Sequence, residues 1–227
     1  EIAVVTSGAI AAGRHRLGVR ERNDIPFRKV LAAIGQSYLM QAYQEHFARH
    51  EITIAQTLLT RGDLADRQGY LNARNTILAM LDLRVVPIIN ENDVVAVDEI
   101  EGARIGDNDN LSALVSNLID ADLLVLLTDT GGLHTADPRL DQSARLIDRV
   151  DSIDERIEAL ATGSVSGAGV GGMTTKVQAA RLATGGGTDV VIAAGKEPDA
   201  LVRLVDGEAI GTLFPTSVDR MESRKRW

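Results

Sequence analysis

The composition and charge of this chain exclude several classes of protein. The chain has 227 residues, of which 44% are hydrophobic and 25% charged, and these proportions are typical of globular domains, not of collagen-like, disordered or membrane-spanning chains. With 24 Lys and Arg against 32 Asp and Glu, the net charge is −8, which disfavours binding to nucleic acid or to an anionic membrane. Cysteine is absent, so a disulfide or a thiol nucleophile is excluded, and we expect a cytoplasmic protein.

Predicted strands and helices alternate along the chain. Short apolar, β-branched runs predict strands at residues 2–5, 52–59, 85–89, 123–128 and 190–194, and helical spacing of apolar residues predicts helices within 30–38, 71–83, 111–119 and 176–183. The segment 94–105 is predicted to form a hairpin flap. This alternation favours a mostly parallel sheet covered by helices on both faces, with ligands bound beyond the carboxyl ends of the strands.

Small and polar residues follow three of the predicted strands. Ser7 and Gly8 follow the first strand, where a hydroxyl and backbone N–H groups could face an anion near a helix N-terminus, although a structural turn has the same pattern. Asp93 ends a polar run after the third strand and could accept hydrogen bonds from an ammonium group, or the run could be a turn. Thr128 and Asp129 follow the fourth strand and offer a hydroxyl and a carboxylate to a nucleotide, or form an ordinary turn.

Two further segments have residues suited to phosphate chemistry. Asn108 and Asp109 open a predicted helix, where they could cap the helix, or could bind magnesium or position lysines around a phosphate. The glycine-rich run 167–172 precedes two threonines and Lys176, which together could form an anion cradle at a helix N-terminus or a surface loop. It lacks the preceding strand of a dinucleotide-binding motif, and Met173 stands where a P-loop has its lysine.

Taken in order, these segments resemble the amino-acid-kinase family, in particular its branch that acts on free glutamate. The matching segments are residues 6–10, 33–36, 87–93, 106–109, 127–129, 132–139 and 171–176. The resemblance covers the whole chain, and the Asn-Glu-Asn-Asp run with the Gly-Asp-Asn-Asp run distinguishes this branch from kinases of carbamate, uridylate, aspartate and acetylglutamate.

The resemblance implies an ATP-dependent kinase that phosphorylates the side-chain carboxylate of L-glutamate, the first step of proline biosynthesis. The implied substrate-binding residues are Ser7, Gly8, Asp93 and Asn108. The implied catalytic residues are Lys176, which stabilises the transferred phosphoryl group, and Asp109, which positions lysine side chains. The implied ATP-binding residues are Thr128, Asp129, Val170, Gly171, Gly172, Met173, Thr174, Thr175 and Lys176. Val170 departs from the family, which usually has threonine there.

The same resemblance implies the fold, the cofactors and the partners. The fold is a three-layer αβα sandwich with a mostly parallel central sheet, in a kinase domain at residues 1–213 followed by a linker at 214–227 that would lead to a PUA domain. Magnesium is expected on the ATP phosphates without direct protein ligands. The partners are L-glutamate, ATP, proline as a feedback inhibitor and further copies of the chain, without nucleic acid or membrane. The family's leading strand, whose lysine and glycine hold the ATP phosphates, is expected to be missing before Glu1.

Two alternative functions stay open from the sequence. The first is another kinase of the same scaffold, acting on acetylglutamate, aspartate or carbamate. The second is a noncatalytic nucleotide-binding module.

Overall fold

The structure, a computed structural model, describes residues 1–19, 24–96, 108–162 and 172–216. The chain divides into two compact units, Glu1–Leu111 (unit 1) and Ser112–Trp227 (unit 2). Each unit contains a three-stranded sheet of its own. Most of the predicted flap, at residues 97–105, and most of the predicted linker, at 217–227, lie outside the described residues.

Unit 1 has a fully parallel sheet. Its elements are β1 (Val4–Val5), α1 (Ala9–Leu17), α2 (Ile25–Ala48), β2 (Ile54–Leu59), α3 (Arg61–Ala65), α4 (Arg67–Asp82), β3 (Val86–Glu91) and the beginning of α5 (Asn108–Leu118). The strand order is β1-β3-β2, and β3 pairs in parallel with both neighbours. The carboxyl ends of all three strands therefore meet at one edge of the sheet.

Side-chain caps fix where three helices of unit 1, α2, α3 and α4, begin. The Asp24 carboxylate accepts a hydrogen bond from the Phe27 N–H at the start of α2. Thr60 and Asp63 form a reciprocal capping box at α3, and Asp66 caps α4. Each cap satisfies a backbone N–H that the helix itself leaves without a partner.

Two glycines bring α1 and α2 into backbone contact. A Cβ atom added to Gly35 would overlap the carbonyl group of Ala9, and one added to Gly13 would overlap the carbonyl group of Leu31. Leu31 and Ala9 are buried in this contact region. The close approach fixes the position of α1, and with it the position of the segment between β1 and α1.

Unit 2 has a sheet of mixed direction. Its elements after α5 are β4 (Leu123–Thr128), α6 (Glu155–Thr162), α7 (Met173–Gly185), β5 (Asp189–Ala194), α8 (Ala200–Val205) and β6 (Thr212–Phe214). The order is β4-β5-β6, parallel for the first pair and antiparallel for the second. Its core includes Phe214, Ile192, Val177 and Leu133, all at most 2% exposed.

The predicted alternation of strands and helices is confirmed, with corrections at several elements. Asn90 and Glu91 belong to β3, because both pair with β2. The helix predicted from residue 176 begins at Met173, so Thr174 and Thr175 lie in its first turn. The elements without a predicted counterpart include α1, where Gly13 indicates a turn, the short helices α3 and α8, and β6, which has only three residues.

Candidate functional site

Ser7 and Gly8 leave the sheet of unit 1 beside the end of β3. The Thr6 N–H donates to the Ile89 carbonyl at 2.9 Å and extends the β1–β3 pairing by one residue. Gly8 has a φ of 104° and precedes α1, which has no side-chain cap. The positive φ strongly favours glycine, and the uncapped N–H groups of the first turn are donors suited to an anion.

Two hydrogen-bonded amide side chains, those of Gln36 and Asn90, lie next to this edge of the sheet. Asn90 is 2% exposed; its Nδ2 donates to Gln36 Oε1 at 2.9 Å, and its Oδ1 accepts from the Glu91 N–H at 2.9 Å. Gln36 Nε2 is buried and has no hydrogen-bond partner in the part of the chain that the structure describes. The sequence analysis included Gln36 in a matching segment but gave it no role.

Asp93 lies in a turn that is held from two sides. The Asn92 carbonyl accepts the N–H groups of Val95 and Ala96 at 3.1 and 3.0 Å, and the Asn92 N–H donates to the Leu59 carbonyl at 2.9 Å. Lys29 Nζ donates to the Ala96 carbonyl at 2.7 Å and ties the turn to α2. The half-buried Asp93 carboxylate is thus placed at the edge where Ser7 and Gly8 emerge.

Asn108 and Asp109 form the start of α5. Asn108 Oδ1 is buried and is an acceptor without a partner among the described residues. Asp109 lies in the first helical turn, where a carboxylate interacts favourably with the positive end of the helix. The two residues that precede them, Gly106 and Asp107, lie outside the described residues.

The carboxyl end of β4 opens into a cleft within unit 2. Thr128 and Asp129 line it, and the Thr128 hydroxyl donates to Asp129 Oδ1 at 3.2 Å. Gly132, also in the lining, has a φ of 145°, and a Cβ there would lie 2.5 Å from Thr212 Oγ1. Glycine is therefore required for this close approach, and the cleft depends on it.

A charged pair forms part of the same cleft. Arg139 donates from Nε and Nη2 to the two carboxylate oxygens of Asp137 at 3.0 and 2.9 Å. The Asp137 side chain is 3% exposed and that of Arg139 is 43% exposed. Hydrogen bonding to Asp137, with smaller Coulombic contributions from Asp137 and Asp129, raises the pKa of Arg139 above its usual value. The sequence analysis assigned no role to either residue, although both lie in a matching segment.

The first turn of α7 presents the residues predicted to bind phosphate. Gly172 precedes the helix and provides no side-chain cap, and with Met173 it lines the cleft. The hydroxyls of Thr174 and Thr175 donate to the carbonyls of Ala161 and Gly172 at 3.2 and 2.7 Å. Both hydroxyls would have to rotate before they could donate to a phosphate.

Lys176, one residue further along α7, is only 6% exposed. A buried ammonium group is unusual and requires compensating partners. The remaining predicted residues of this segment, Val170 and Gly171, lie outside the described residues.

The structure places the predicted residues in two groups, one in each unit. Ser7, Gly8 and Asp93 follow neighbouring strands of unit 1, whereas Thr128, Asp129, Gly172 and Met173 line one cleft of unit 2. Over the described ranges, no group of three or more His, Cys, Asp or Glu residues could hold a metal ion. Within the same ranges, no helix combines the length and apolarity that crossing a bilayer requires.

The sequence matches a protein-family model and a set of curated proteins. The model of the amino acid kinase family matches residues 1–194. Glutamate 5-kinases from Dehalococcoides mccartyi and Herpetosiphon aurantiacus are 57% and 55% identical to this chain over 228 aligned positions, and that of Serratia marcescens is 52% identical over 227. These alignments cover 100% of this chain and 61% of each relative, so the chain spans about three fifths of their length.

Solved structures share the fold at low sequence identity. An isopentenyl phosphate kinase superposes with a TM-score of 0.61 at 19% identity, over 93% of this chain and 83% of the other. The uridylate kinase of Archaeoglobus fulgidus gives 0.57 at 18% identity, over 94% and 84%. The predicted fold class is confirmed by these superpositions and by the family model.

Proposed function

Because this chain belongs to the amino acid kinase family, we propose that the protein of which it is part is a glutamate 5-kinase. The reaction is the ATP-dependent phosphorylation of L-glutamate to L-glutamyl 5-phosphate, the first step of proline biosynthesis. The observation that supports the substrate is the 57% identity with a relative of that name along the full length of this chain. The solved structures with related folds are less than 20% identical and favour no particular substrate.

Unit 1 provides the residues that we assign to glutamate. Ser7 and Gly8 offer a hydroxyl and N–H donors for a carboxylate, and Asp93 offers a carboxylate for the ammonium group. The unpartnered Asn108 Oδ1 is a second acceptor for that ammonium group. An amino acid needs donors for its carboxylates and acceptors for its ammonium, and these residues supply both kinds.

Unit 2 provides the residues that we assign to ATP. Thr128, Asp129, Gly172 and Met173 line the cleft, and the uncapped first turn of α7 offers N–H donors to phosphate oxygens. Thr174, Thr175 and Lys176 follow in that turn, and we extend the assignment to Val170 and Gly171 from the family resemblance. The bidentate Asp137–Arg139 pair fixes the position of a guanidinium at the cleft wall.

The chemistry requires no general base. The side-chain carboxyl of glutamate has an ordinary pKa of about 4.3 and is ionised at neutral pH. Its oxygen attacks the γ-phosphorus, a P–O bond forms, and the bond to the β–γ bridging oxygen breaks as ADP leaves. Repulsion between two anions is the main barrier that the chain must lower, and we assign its neutralisation to Lys176, with Asp109 positioning lysine side chains.

Magnesium is proposed to enter with the nucleotide. The oxygen atoms of Thr128 and Asp129 in the cleft suit the water molecules that a phosphate-bound magnesium ion retains. The ion would neutralise phosphate charge when bound. The chain's own residues bind the nucleotide and orient it.

Three further properties of the family are part of this proposal. We propose feedback inhibition by proline, assembly into homo-oligomers and a cytoplasmic location. We also retain a kinase domain followed by a linker towards a PUA domain, but Phe214, which is paired in β6 and buried in the core of unit 2, belongs to the domain and not to the linker.

A substrate comparison tests the proposed function. The complete protein is incubated with ATP and Mg²⁺ plus L-glutamate, N-acetyl-L-glutamate, L-aspartate or carbamate, and ADP release is measured. Hydroxylamine added to the same reactions traps an acyl phosphate as a hydroxamate, which separates phosphoryl transfer from simple ATP hydrolysis. We expect ADP and hydroxamate in equal amounts with L-glutamate. Preference for another acceptor, or ADP release without hydroxamate, would contradict the proposal.

A further inference from the structure

The orientation of the Gln36 side-chain amide is fixed by the backbone. The Glu91 N–H can only donate, so the atom of Asn90 that faces it at 2.9 Å must be the Oδ1 acceptor. Asn90 Nδ2 then points to Gln36 at 2.9 Å, and the atom it meets must be the Oε1 acceptor. Reversing the Gln36 amide would place two NH₂ groups against each other, so Nε2 is the atom that is left over.

This leftover NH₂ group is buried but has no acceptor in the described part of the chain. Burial of a donor without an acceptor destabilises a protein, and such groups are few in native structures. A buried donor that is preserved in one orientation by two hydrogen bonds is suited to an acceptor that arrives from outside the chain.

The position of Gln36 indicates which acceptor that is. Gln36 follows Gly35, the residue at which α2 approaches the first turn of α1, and its amide contacts Asn90 within the last two residues of β3. Ser7 and Gly8 lie between β1 and α1, and Asp93 follows β3. Gln36 therefore lies at the edge of unit 1 that we assign to glutamate.

We propose that Gln36 Nε2 donates a hydrogen bond to a carboxylate oxygen of the amino-acid substrate. This inference rests on the proposed function. Asn90 is then a positioning residue, because it holds Gln36 in the donating orientation. Asp93 and Asn108 accept from the ammonium group, and Gln36 adds a donor for a carboxylate.

Gln36→Glu tests the contribution of the Nε2 donor alone. The variant has nearly the same shape and keeps an oxygen that accepts from Asn90 Nδ2, but an oxygen replaces Nε2. An acceptor facing a carboxylate is repulsive, and a hydrogen bond to a charged group contributes about tenfold or more to binding. Gln36→Met, which has similar length and no donor, removes the bond without adding charge. Gln44 is an exposed glutamine on the same helix, and Gln44→Glu and Gln44→Met are the matched controls.

The experiment measures steady-state kinetics and calorimetric binding of L-glutamate with the complete protein and these four variants. We expect Gln36→Glu to raise KM and Kd for glutamate about 100-fold or more and Gln36→Met about tenfold, while KM for ATP changes less than twofold. The Gln44 controls should match the wild type. Thermal unfolding shows whether each variant is folded. If Gln36→Glu does not fold, the glutamate affinity of Gln36→Met tests the inference.

Each outcome has one interpretation. Wild-type glutamate affinity in both folded Gln36 variants would overturn the inference and would mean that a water molecule satisfies Nε2. Equal increases in KM for glutamate and ATP would also overturn it, because they indicate a structural role. A wild-type protein that neither binds nor phosphorylates glutamate would instead contradict the proposed function.

Discussion

The contact between α1 and α2 leaves no space for a side chain at Gly35. A methyl group there would lie 2.8 Å from the carbonyl carbon of Ala9 and closer still to its oxygen, whereas ordinary contacts begin at 3.4 Å. The contact with the carbon alone requires the helices to separate by about 0.6 Å, and the nearer oxygen requires more. A gap of about 0.5–1 Å forfeits a quarter to a half of the dispersion energy of the atoms that face it.

The net effect combines this loss with a gain in helix propensity. Overpacking in a well-packed contact costs about 1–3 kcal/mol, and backbone overlap places this site at the upper end. Alanine is favoured over glycine within a helix by about 1 kcal/mol. We expect Gly35→Ala to destabilise the protein by about 2 kcal/mol, which lowers the unfolding midpoint by about 4–8 °C for a chain of this size.

Thermal unfolding followed by circular dichroism measures this change. Gly185→Ala is the matched control, because Gly185 is also helical and a Cβ there has nothing within 4 Å; it should leave the midpoint unchanged or raise it slightly. Displacement of α1 also moves Ser7 and Gly8, so KM for glutamate should rise in Gly35→Ala while KM for ATP does not. A Gly35→Ala midpoint equal to or above that of the wild type would refute the packing argument.

Three other substitutions test separate parts of the molecule. Lys176→Met, which keeps much of the buried side-chain volume, should lower kcat for glutamate phosphorylation by about 100-fold or more with little change in the unfolding midpoint; unchanged turnover would remove Lys176 from the reaction. Asp93→Asn should raise KM for glutamate far more than KM for ATP in the same assay, and equal effects would contradict its assignment to the amino acid. Ser143→Ala removes the side-chain hydrogen bond that lowers the pKa of Asp141, so an NMR titration should show that pKa rising towards its usual value. Because the folded-state pKa of Asp141 is lowered, its bonds with Ser143 contribute to stability above the usual carboxyl pKa, and the contribution is lost as the pH falls through the lowered value.

The parts of the fold that the sequence predicts are those with strong local signals. The five predicted strands are short apolar runs, and β4, which is mostly leucine, is observed at the predicted bounds, Leu123–Thr128. In contrast, α1 is rich in small residues and contains Gly13, whose value lies in the contact with α2 and not in local propensity. A helix that is specified by the neighbour it packs against has little local signal.

Some residues of the candidate site can be found from local sequence signals, and others cannot. Ser7, Asp93, Thr128 and Asp129 follow predicted strands, so the rule that ligands bind at the carboxyl ends of strands finds them without a structure. The Gln36 amide cannot be found in this way, because it lies inside a helix and 54 positions from Asn90 in the sequence. Pairings of this kind depend on how α2 packs on the sheet, which no short segment of sequence specifies.

The last described residues of unit 2 are anchored at the opposite edge of the sheet from the cleft. The Thr216 N–H donates to Asp189 Oδ1 at 2.8 Å, and its hydroxyl donates to the Thr184 carbonyl at 2.9 Å, whereas Thr128 pairs with Ala194 at the other end of β5. A six-residue strand separates the two edges by about 20 Å. A fluorophore or an immobilisation tag attached at this end of the sheet would therefore leave the cleft unobstructed, which makes this end suitable for single-molecule and surface-based measurements.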